Sequence, residues 1–303
     1  MSSAASDDAP AALPRKDAAR PAPRRPGRPA DAGVAGRDVL ANPASDRVSR
    51  VAGLARKNVR AKYRRFLVEG PQGVREAVRC AADRVLDVYL TETARNRHSG
   101  IWEEARAAGL YVHLTSERVM AAMSADSQGV LAVVAMDEAA GPRALAAALS
   151  GAMLVVVLTE TQDPGNAGAI IRAADAAGAD AVVLLRGSVD ATSPKVVRSS
   201  AGSLFHLPVV TGVTLDDAVA ALREADFAVV AADSRGALDL FDADAVLEGP
   251  IAWLLGNEAR GLPPEALSRA DAVISIPVRG RAESLNVAAA AAVCLYATAR
   301  AQR

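Results

Sequence analysis

Hydrophobic positions along the chain fall into three regimes. Through residues 1–45, Ala, Pro, Arg and Asp dominate without an apolar period. Such a segment cannot bury enough surface to offset its ordering entropy, which predicts a disordered tail. From Val48 the pattern becomes periodic. Val48, Val51 and Leu54 recur at helical spacing, which predicts an amphipathic helix over 47–65. Phe66–Val68, Val85–Leu90, Tyr111–Leu114 and Val130–Ala135 read as short strands, with helices over Glu69–Ala82 and Trp102–Ala108 between them. That alternation predicts a small α/β sandwich over 46–138. Gly141-Pro142 marks a linker over 139–149.

Beyond residue 150 the apolar runs lose their polar alternation. Met153–Leu158, Ala181–Leu185, Phe227–Ala232 and Ile251–Leu255 are nearly continuous, as in parallel strands buried on both faces. Helices are predicted at Ala169–Ala177, Leu215–Glu224 and Leu285–Arg300. Residues 150–303 therefore read as an open α/β sheet, in which ligands gather beyond the carboxyl ends of the strands.

Composition refines this picture in a few places. Aromatic residues are only 3% of the chain, so the core must be built from Ala, Val and Leu. Lys+Arg and Asp+Glu are both 35, which excludes a protein basic everywhere but not a local basic patch. Such a patch is present: Arg47, Arg50, Arg56, Lys57, Arg60, Lys62, Arg64 and Arg65 occupy 47–65 with no acid among them. Their absence of compensating charge favours contact with an anionic partner over a merely solvated face. Cys80 and Cys294 lie far apart with no His nearby in sequence, which fits neither a zinc site nor a disulfide framework. No apolar run reaches the roughly 18 residues of a membrane span, and no secretory signal is evident. A cytoplasmic protein is the expectation.

Three loops follow the buried strands, each placing Gly or Asn beside a charged group. The first runs from Thr159 to Gly168 and leads into a helix carrying Arg172. Its glycines aim backbone N–H groups at an anion. Taken alone, Asn166 reads equally as a helix cap, and Arg172 as a surface partner of Asp175. The second loop is Gly256-Asn257-Glu258-Ala259-Arg260-Gly261-Leu262-Pro263, whose two glycines allow close backbone approach to a ligand. The third joins Ile274-Ser275-Ile276-Pro277 to Glu283-Ser284-Leu285-Asn286-Val287, where Ser284 alone would be a routine cap on an Ala-rich helix.

In order, these loops read N-x-G-x-x-x-R, then G-N-E-x-x-G-L-P, then I-P with S-L-N-V. Together they resemble the three signature motifs of the SpoU/TrmH branch of the SPOUT methyltransferases. The segment Ser193–Gly202 is similar to the family stretch between the first two motifs. Phe66-Leu67-Val68-Glu69-Gly70 and Gln128-Gly129-Val130 more faintly resemble the L30e-like substrate-binding domain attached to many ribosomal RNA members.

The resemblance implies an L30e-like α/β sandwich followed by an α/β-knot methyltransferase domain with a deep trefoil knot. It implies a homodimer, S-adenosylmethionine as cofactor, and methylation of a ribose 2′-hydroxyl in RNA, ribosomal RNA first, with transfer RNA as the alternative. By motif position, Gly256, Gly261, Ile276 and Leu285 would hold the cofactor. Asn166, Arg172, Glu258, Ser284 and Asn286 would serve the reaction. Arg172 stays protonated, so it is assigned to a phosphate and to developing alkoxide charge, with the phosphate, a solvent path or Glu258 taking the proton. RNA contacts are assigned to Arg56, Lys57, Arg60, Lys62 and Arg198. No metal is expected. Two rivals stay open. A nucleotide-dependent oxidoreductase would use Gly165-Asn166-Ala167-Gly168 as a partial dinucleotide loop, with Arg186 on a 2′-phosphate. A catalytically silent RNA-binding protein would keep the fold alone.

Overall fold

A computed structural model describes residues 39–303 apart from 138, 258 and 259. Most of the expected tail, 1–38, lies outside the described residues. Its last part does not behave as a tail, however. Leu40 extends the sheet, donating to Leu114 O and accepting from Ser116 N at 2.9 Å each. Ser45 then caps the first helix, which begins at Asp46.

The first unit comprises α1 (Asp46–Gly53), α2 (Lys57–Tyr63), β1 (Arg65–Glu69), α3 (Pro71–Cys80), β2 (Val85–Thr91), α4 (Glu92–Arg97), α5 (Ser99–Ala107), β3 (Tyr111–Thr115), α6 (Glu117–Met123) and β4 (Val130–Ala135). Its strands lie in the order β1-β4-β2-β3. Strand period sorts the side chains. Phe66, Val68, Val88 and Leu90 face α3 and α5, while Leu67, Tyr89, Leu131 and Val133 face α1 and α6.

The single helix expected over 47–65 is two helices. Gly53, a poor helix former, ends α1, and the chain turns at Leu54–Arg56 before α2. Arg60 is the reason the break is stable. Its guanidinium turns back to donate to Leu54 O at 3.1 Å and Ala55 O at 2.7 Å. These carbonyls lie where α1 ends, so a side chain supplies the donors the helix no longer can.

The second unit comprises α7 (Pro142–Leu149), β5 (Leu154–Leu158), α8 (Pro164–Ala177), β6 (Ala181–Leu185), α9 (Pro194–Ser199), β7 (Val209–Val213), α10 (Leu215–Glu224), β8 (Ala228–Ala232), β9 (Leu238–Asp239), α11 (Asp244–Leu247), β10 (Ile251–Leu255), α12 (Pro264–Arg269), β11 (Ala272–Ser275) and α13 (Val287–Ala301). The sheet runs β7-β6-β5-β10-β8-β11-β9 with every pair parallel. Leu154, Val156 and Leu158 point toward α8 and α13, whereas Val155 and Val157 point toward α7, α10 and α12. Trp253 is fully buried and donates its indole N–H to Thr298 Oγ1 on α13 at 2.9 Å.

The expected linker 139–149 belongs to this unit. Ala140 bridges to Thr211 on the edge strand, and Leu145 and Leu149 of α7 are buried in its core. Gly141 has φ 81° and Pro142 sits at the first helical position, so the Gly-Pro pair starts a helix here rather than separating two domains.

The two units share a packed boundary. Val197 and Phe205 join the core of the first unit, and the Phe205 ring lies 6.4 Å from that of Phe66. Two ion pairs flank this contact, Arg60 with Asp190 at 2.6 Å and Arg198 with Glu69.

Candidate active site

All parallel strands of the second unit end on one side, and the candidate residues collect there. α8 starts at Pro164, five residues before the expected start. Asp163, not Asn166, is its cap, accepting from Asn166 N at 2.9 Å, with Pro at the first helical position. That backbone hydrogen bond from Asn166 holds the Asp163 carboxyl below the usual carboxylate range, with Lys195 adding to the effect.

Asn166 therefore keeps its side chain for another task. Its Oδ1 accepts from Asn286 Nδ2 at 3.0 Å. Asn286 is the cap of α13, its Oδ1 accepting from Ala288 N at 2.9 Å and Ala289 N at 3.4 Å. The cap expected from Ser284 is thus taken by Asn286 two residues later, and Ser284 stays exposed. The first and third motifs, 120 residues apart, meet in one side-chain hydrogen bond.

Arg172 lies one and two-thirds turns further along α8, about 120° around the axis from Asn166, and is exposed. Asp175, the surface partner considered for it, instead accepts from His206 at 2.7 Å. Among the described residues Arg172 forms no ion pair, so its fork is available to an anion. Glu258 lies outside the described residues.

Gly256 shows why the second motif needs glycine. It is buried, and a Cβ there would come within 2.5 Å of Leu262 N. Asn257 and Gly261 close the loop through paired backbone hydrogen bonds of 3.0 and 2.8 Å, with Gly261 at φ 67°. The loop is tied to the end of neighbouring β5. Leu255 O accepts from Thr159 N at 2.9 Å, Asn257 Nδ2 donates to Glu160 O at 3.0 Å, and Arg260 pairs with Glu160 at 3.3 Å. Glu160 itself has φ 51°, a costly conformation for a residue with a Cβ. Glu160, Asp163 and Asn257 are supporting residues that the sequence reading did not assign. Their signal was position within motif loops already singled out.

The third motif leaves β11 at Ser275. Ile276 is half-buried against the core, while Val278 and Leu285 are 40% and 42% exposed. Apolar side chains exposed beside backbone-rich loops suit an adenosyl group, which takes apolar walls and main-chain hydrogen bonds.

The candidate RNA contacts divide. Arg56, Lys57 and Lys62 are exposed, but Arg60 is only 2% exposed, spent on Leu54 O, Ala55 O and Asp190. It is a structural clamp, not a phosphate ligand. Burial alone would push the Asp190 carboxyl up, yet hydrogen bonds from Arg60 and Thr192 outweigh it and hold that carboxyl down. Arg198 is likewise engaged, by Glu69 and by Asp126 at 3.0 Å. Lys57, Arg64, Arg84 and Arg186 instead line a cleft of about 560 Å³ between the units.

The dinucleotide reading fails on geometry. A Cβ on Gly168 would overlap Ser199 Oγ and come within 2.6 Å of Val196 O, so this glycine closes α8 onto α9 instead of opening room for a pyrophosphate. Arg186 donates to Gly212 O at 2.9 Å.

An Asp-capped α8, an Asn-capped α13 and a glycine-closed loop thus meet at the strand ends. Residues 153–296 match the model of the SpoU rRNA Methylase family. Residues 67–140 match a model described as RNA 2′-O ribose methyltransferase substrate binding. A 23S rRNA (guanosine-2′-O-)-methyltransferase of Bordetella pertussis is 31% identical over 77% of this chain and 96% of its own length. Among solved structures, an AdoMet-bound rRNA methyltransferase from Sinorhizobium meliloti superposes with a TM-score of 0.73 at 28% identity, over 87% of this chain and 97% of its own. A SpoU methyltransferase from Streptomyces viridochromogenes gives 0.74 at 28% identity, over 85% and 98%. The chain belongs to the SpoU family of RNA ribose methyltransferases.

Proposed function

We propose that this protein transfers a methyl group from S-adenosylmethionine to a ribose 2′-hydroxyl of ribosomal RNA, in the cytoplasm. The observation that carries this reading is the Asn166–Asn286 hydrogen bond, which joins two helix N-termini beside the Gly256–Leu262 loop. The cofactor, when bound, supplies an electrophilic methyl on a sulfonium. The residues that would hold it are Gly256, Gly261, Ile276 and Leu285, with Val278 adding an apolar surface.

The protein's task is to bind, orient and manage charge. The Asn166–Asn286 pair orients the ribose, and Ser284, two residues before Asn286, offers a further hydroxyl. Arg172 binds an adjacent phosphate and stabilises negative charge as the hydroxyl loses its proton. Its guanidinium cannot take that proton itself, so the phosphate, solvent or Glu258 receives it.

Finer features belong to the same reading. The first unit acts as an L30e-like RNA-selecting domain, with the exposed Arg56, Lys57 and Lys62 contacting phosphates. The last strands and α13 form a trefoil knot. The expectation rests on the family resemblance of the motif loops, and Gly236 packs against the backbone of Ile274 beside the β9–β11 pair. The protein works as a homodimer, in keeping with Tyr296 and Leu285 on and beside α13, which are 56% and 42% exposed. Mapping 2′-O-methyl sites in total RNA with and without the gene tests the whole reading. A site missing in the deletion supports it; an unchanged map opposes it.

A further inference from the structure

The far side of the domain boundary holds a cluster that methyl transfer does not use. Glu76 and Cys80 lie one turn apart on α3 of the first unit. His206, just after a short helical turn of the second unit, meets them, and the ligand atoms of all three lie within 4.8 Å of one another. Asp175, on α8, accepts from His206 at 2.7 Å through Nδ1. The sequence discounts Cys80 as a metal ligand because no His is near it along the chain. The fold removes that objection.

Imidazole chemistry gives the cluster direction. If Nδ1 donates its proton to Asp175, Nε2 of the neutral ring presents a lone pair. That lone pair faces Glu76 Oε2 at 3.3 Å, another acceptor. A proton on Nε2 donated to Glu76 satisfies this pair without a metal, and a metal ion can take that proton's place. Asp175 then stands behind the opposite ring nitrogen, where a metal-bound His usually has a carboxylate partner. Glu76 is also held in place from behind. Gly202, at φ 100°, packs so closely that a Cβ would come within 2.6 Å of Glu76 Cγ.

We propose that Glu76, Cys80 and His206 bind a divalent zinc ion, with Asp175 as the carboxylate that fixes the His206 tautomer. A thiolate, an imidazole and a carboxylate form a donor set suited to zinc rather than to magnesium or calcium. Small side-chain rotations bring the three donors to the roughly 2.0–2.3 Å that zinc takes, and water fills the fourth position. Because α3 belongs to one unit and His206 to the other, the ion pins the two units together across the Phe66–Phe205 contact. It lies apart from the methyl-transfer residues, so it neither replaces nor enters that chemistry.

Cobalt(II) titration of the full-length, chelator-stripped protein tests the proposal, because a thiolate–cobalt bond gives a charge-transfer band that oxygen and nitrogen ligands do not. The expected result is one equivalent of Co²⁺ bound with that band, displaced by Zn²⁺. Cys80→Ser should abolish the band, and Asp175→Asn should weaken binding about 10–100-fold. Cys294 cannot supply the sulfur, since it is only 1% exposed. Zn²⁺ should also raise the melting temperature of wild type but not that of Cys80→Ser. No charge-transfer band in wild type, or a band that survives Cys80→Ser, overturns the proposal.

Discussion

Asn286 Nδ2 donates to Asn166 Oδ1 at 3.0 Å, so the residue that caps α13 also positions a residue in the first turn of α8. Cap and site are separable by substitution. Asn286→Ala loses both roles, at about 1 kcal/mol of stability for the cap. Asn286→Asp keeps an acceptor for Ala288 N and Ala289 N but has no amide to donate to Asn166. Its melting temperature should match wild type while methyl transfer falls steeply. Thermal unfolding and a transfer assay on the two variants check this, and equal activity in Asn286→Asp and wild type would dismiss the pairing as incidental.

Arg172→Ala should lower methyl transfer by about 10²–10³-fold, the range for losing a donor to developing negative charge. S-adenosylmethionine affinity should stay near wild type, because Arg172 serves the RNA side. Arg172→Lys should also be poor, since a point charge cannot reproduce the planar fork. Calorimetry alongside kinetics separates the effects; a large loss of cofactor affinity moves Arg172 to the cofactor side.

Arg60 and its basic neighbours should part company. Arg60→Ala leaves Asp190 without its buried partner, a loss of about 3–5 kcal/mol. Replacing Arg56, Lys57 and Lys62 together by Ala should leave the melting temperature unchanged and weaken binding to every RNA. The slope of log affinity against log salt should shrink by up to about 0.9 per lost duplex contact, or about 0.7 for single strands. Binding curves at several salt concentrations decide this, and an unchanged slope means that the three charges are only solvated.

The Arg60–Asp190 pair also sets a pH dependence. The Asp190 carboxyl is held below its ordinary value in the fold, so the folded state favours its charged form. The stability it contributes is fully present above the unfolded carboxylate pKa of about 3.9 and is lost as pH falls through the lower folded value. Asp190→Asn should therefore flatten the acid limb of a stability-against-pH curve below about pH 4. An acid limb identical in wild type and Asp190→Asn would remove Asp190 from that role.

Much of this arrangement was legible because strand burial writes itself into sequence. The continuous runs at Ala181–Leu185 and Ile251–Leu255 are β6 and β10, and α10 spans Leu215–Glu224 as its periodicity indicates. Motif order singled out Asn166 and Asn286, which the fold joins, and Gly256, whose surroundings leave no room for a Cβ. What stayed hidden depends on tertiary neighbours. Arg60 looks like Arg56 in sequence, and only the ends of α1 and Asp190 make it a buried clamp. Gly141-Pro142 signals a break, and nothing local says that the break is a helix start packed in the core. Ser284 and Asn286 are both good caps, and the bond to Asn166 accompanies the choice of the second.

Gly256→Ala tests the closed loop. The added methyl meets the backbone of Gly261 and Leu262, an overpacking of about 1–3 kcal/mol. Cofactor affinity should fall with it, because the Asn257–Gly261 pairing must open to admit the methyl. A variant that binds S-adenosylmethionine as wild type does would separate this loop from the cofactor.

The central claim is ribose methylation, and one assay reaches it directly. The purified protein is incubated with unmodified ribosomal RNA and S-adenosylmethionine carrying an isotope-labelled methyl, and the RNA is digested to nucleosides for mass spectrometry. Label is expected in a 2′-O-methylated nucleoside, on the sugar fragment, and none with Arg172→Ala. Label on a base fragment, or no label with active cofactor and intact RNA, would contradict it.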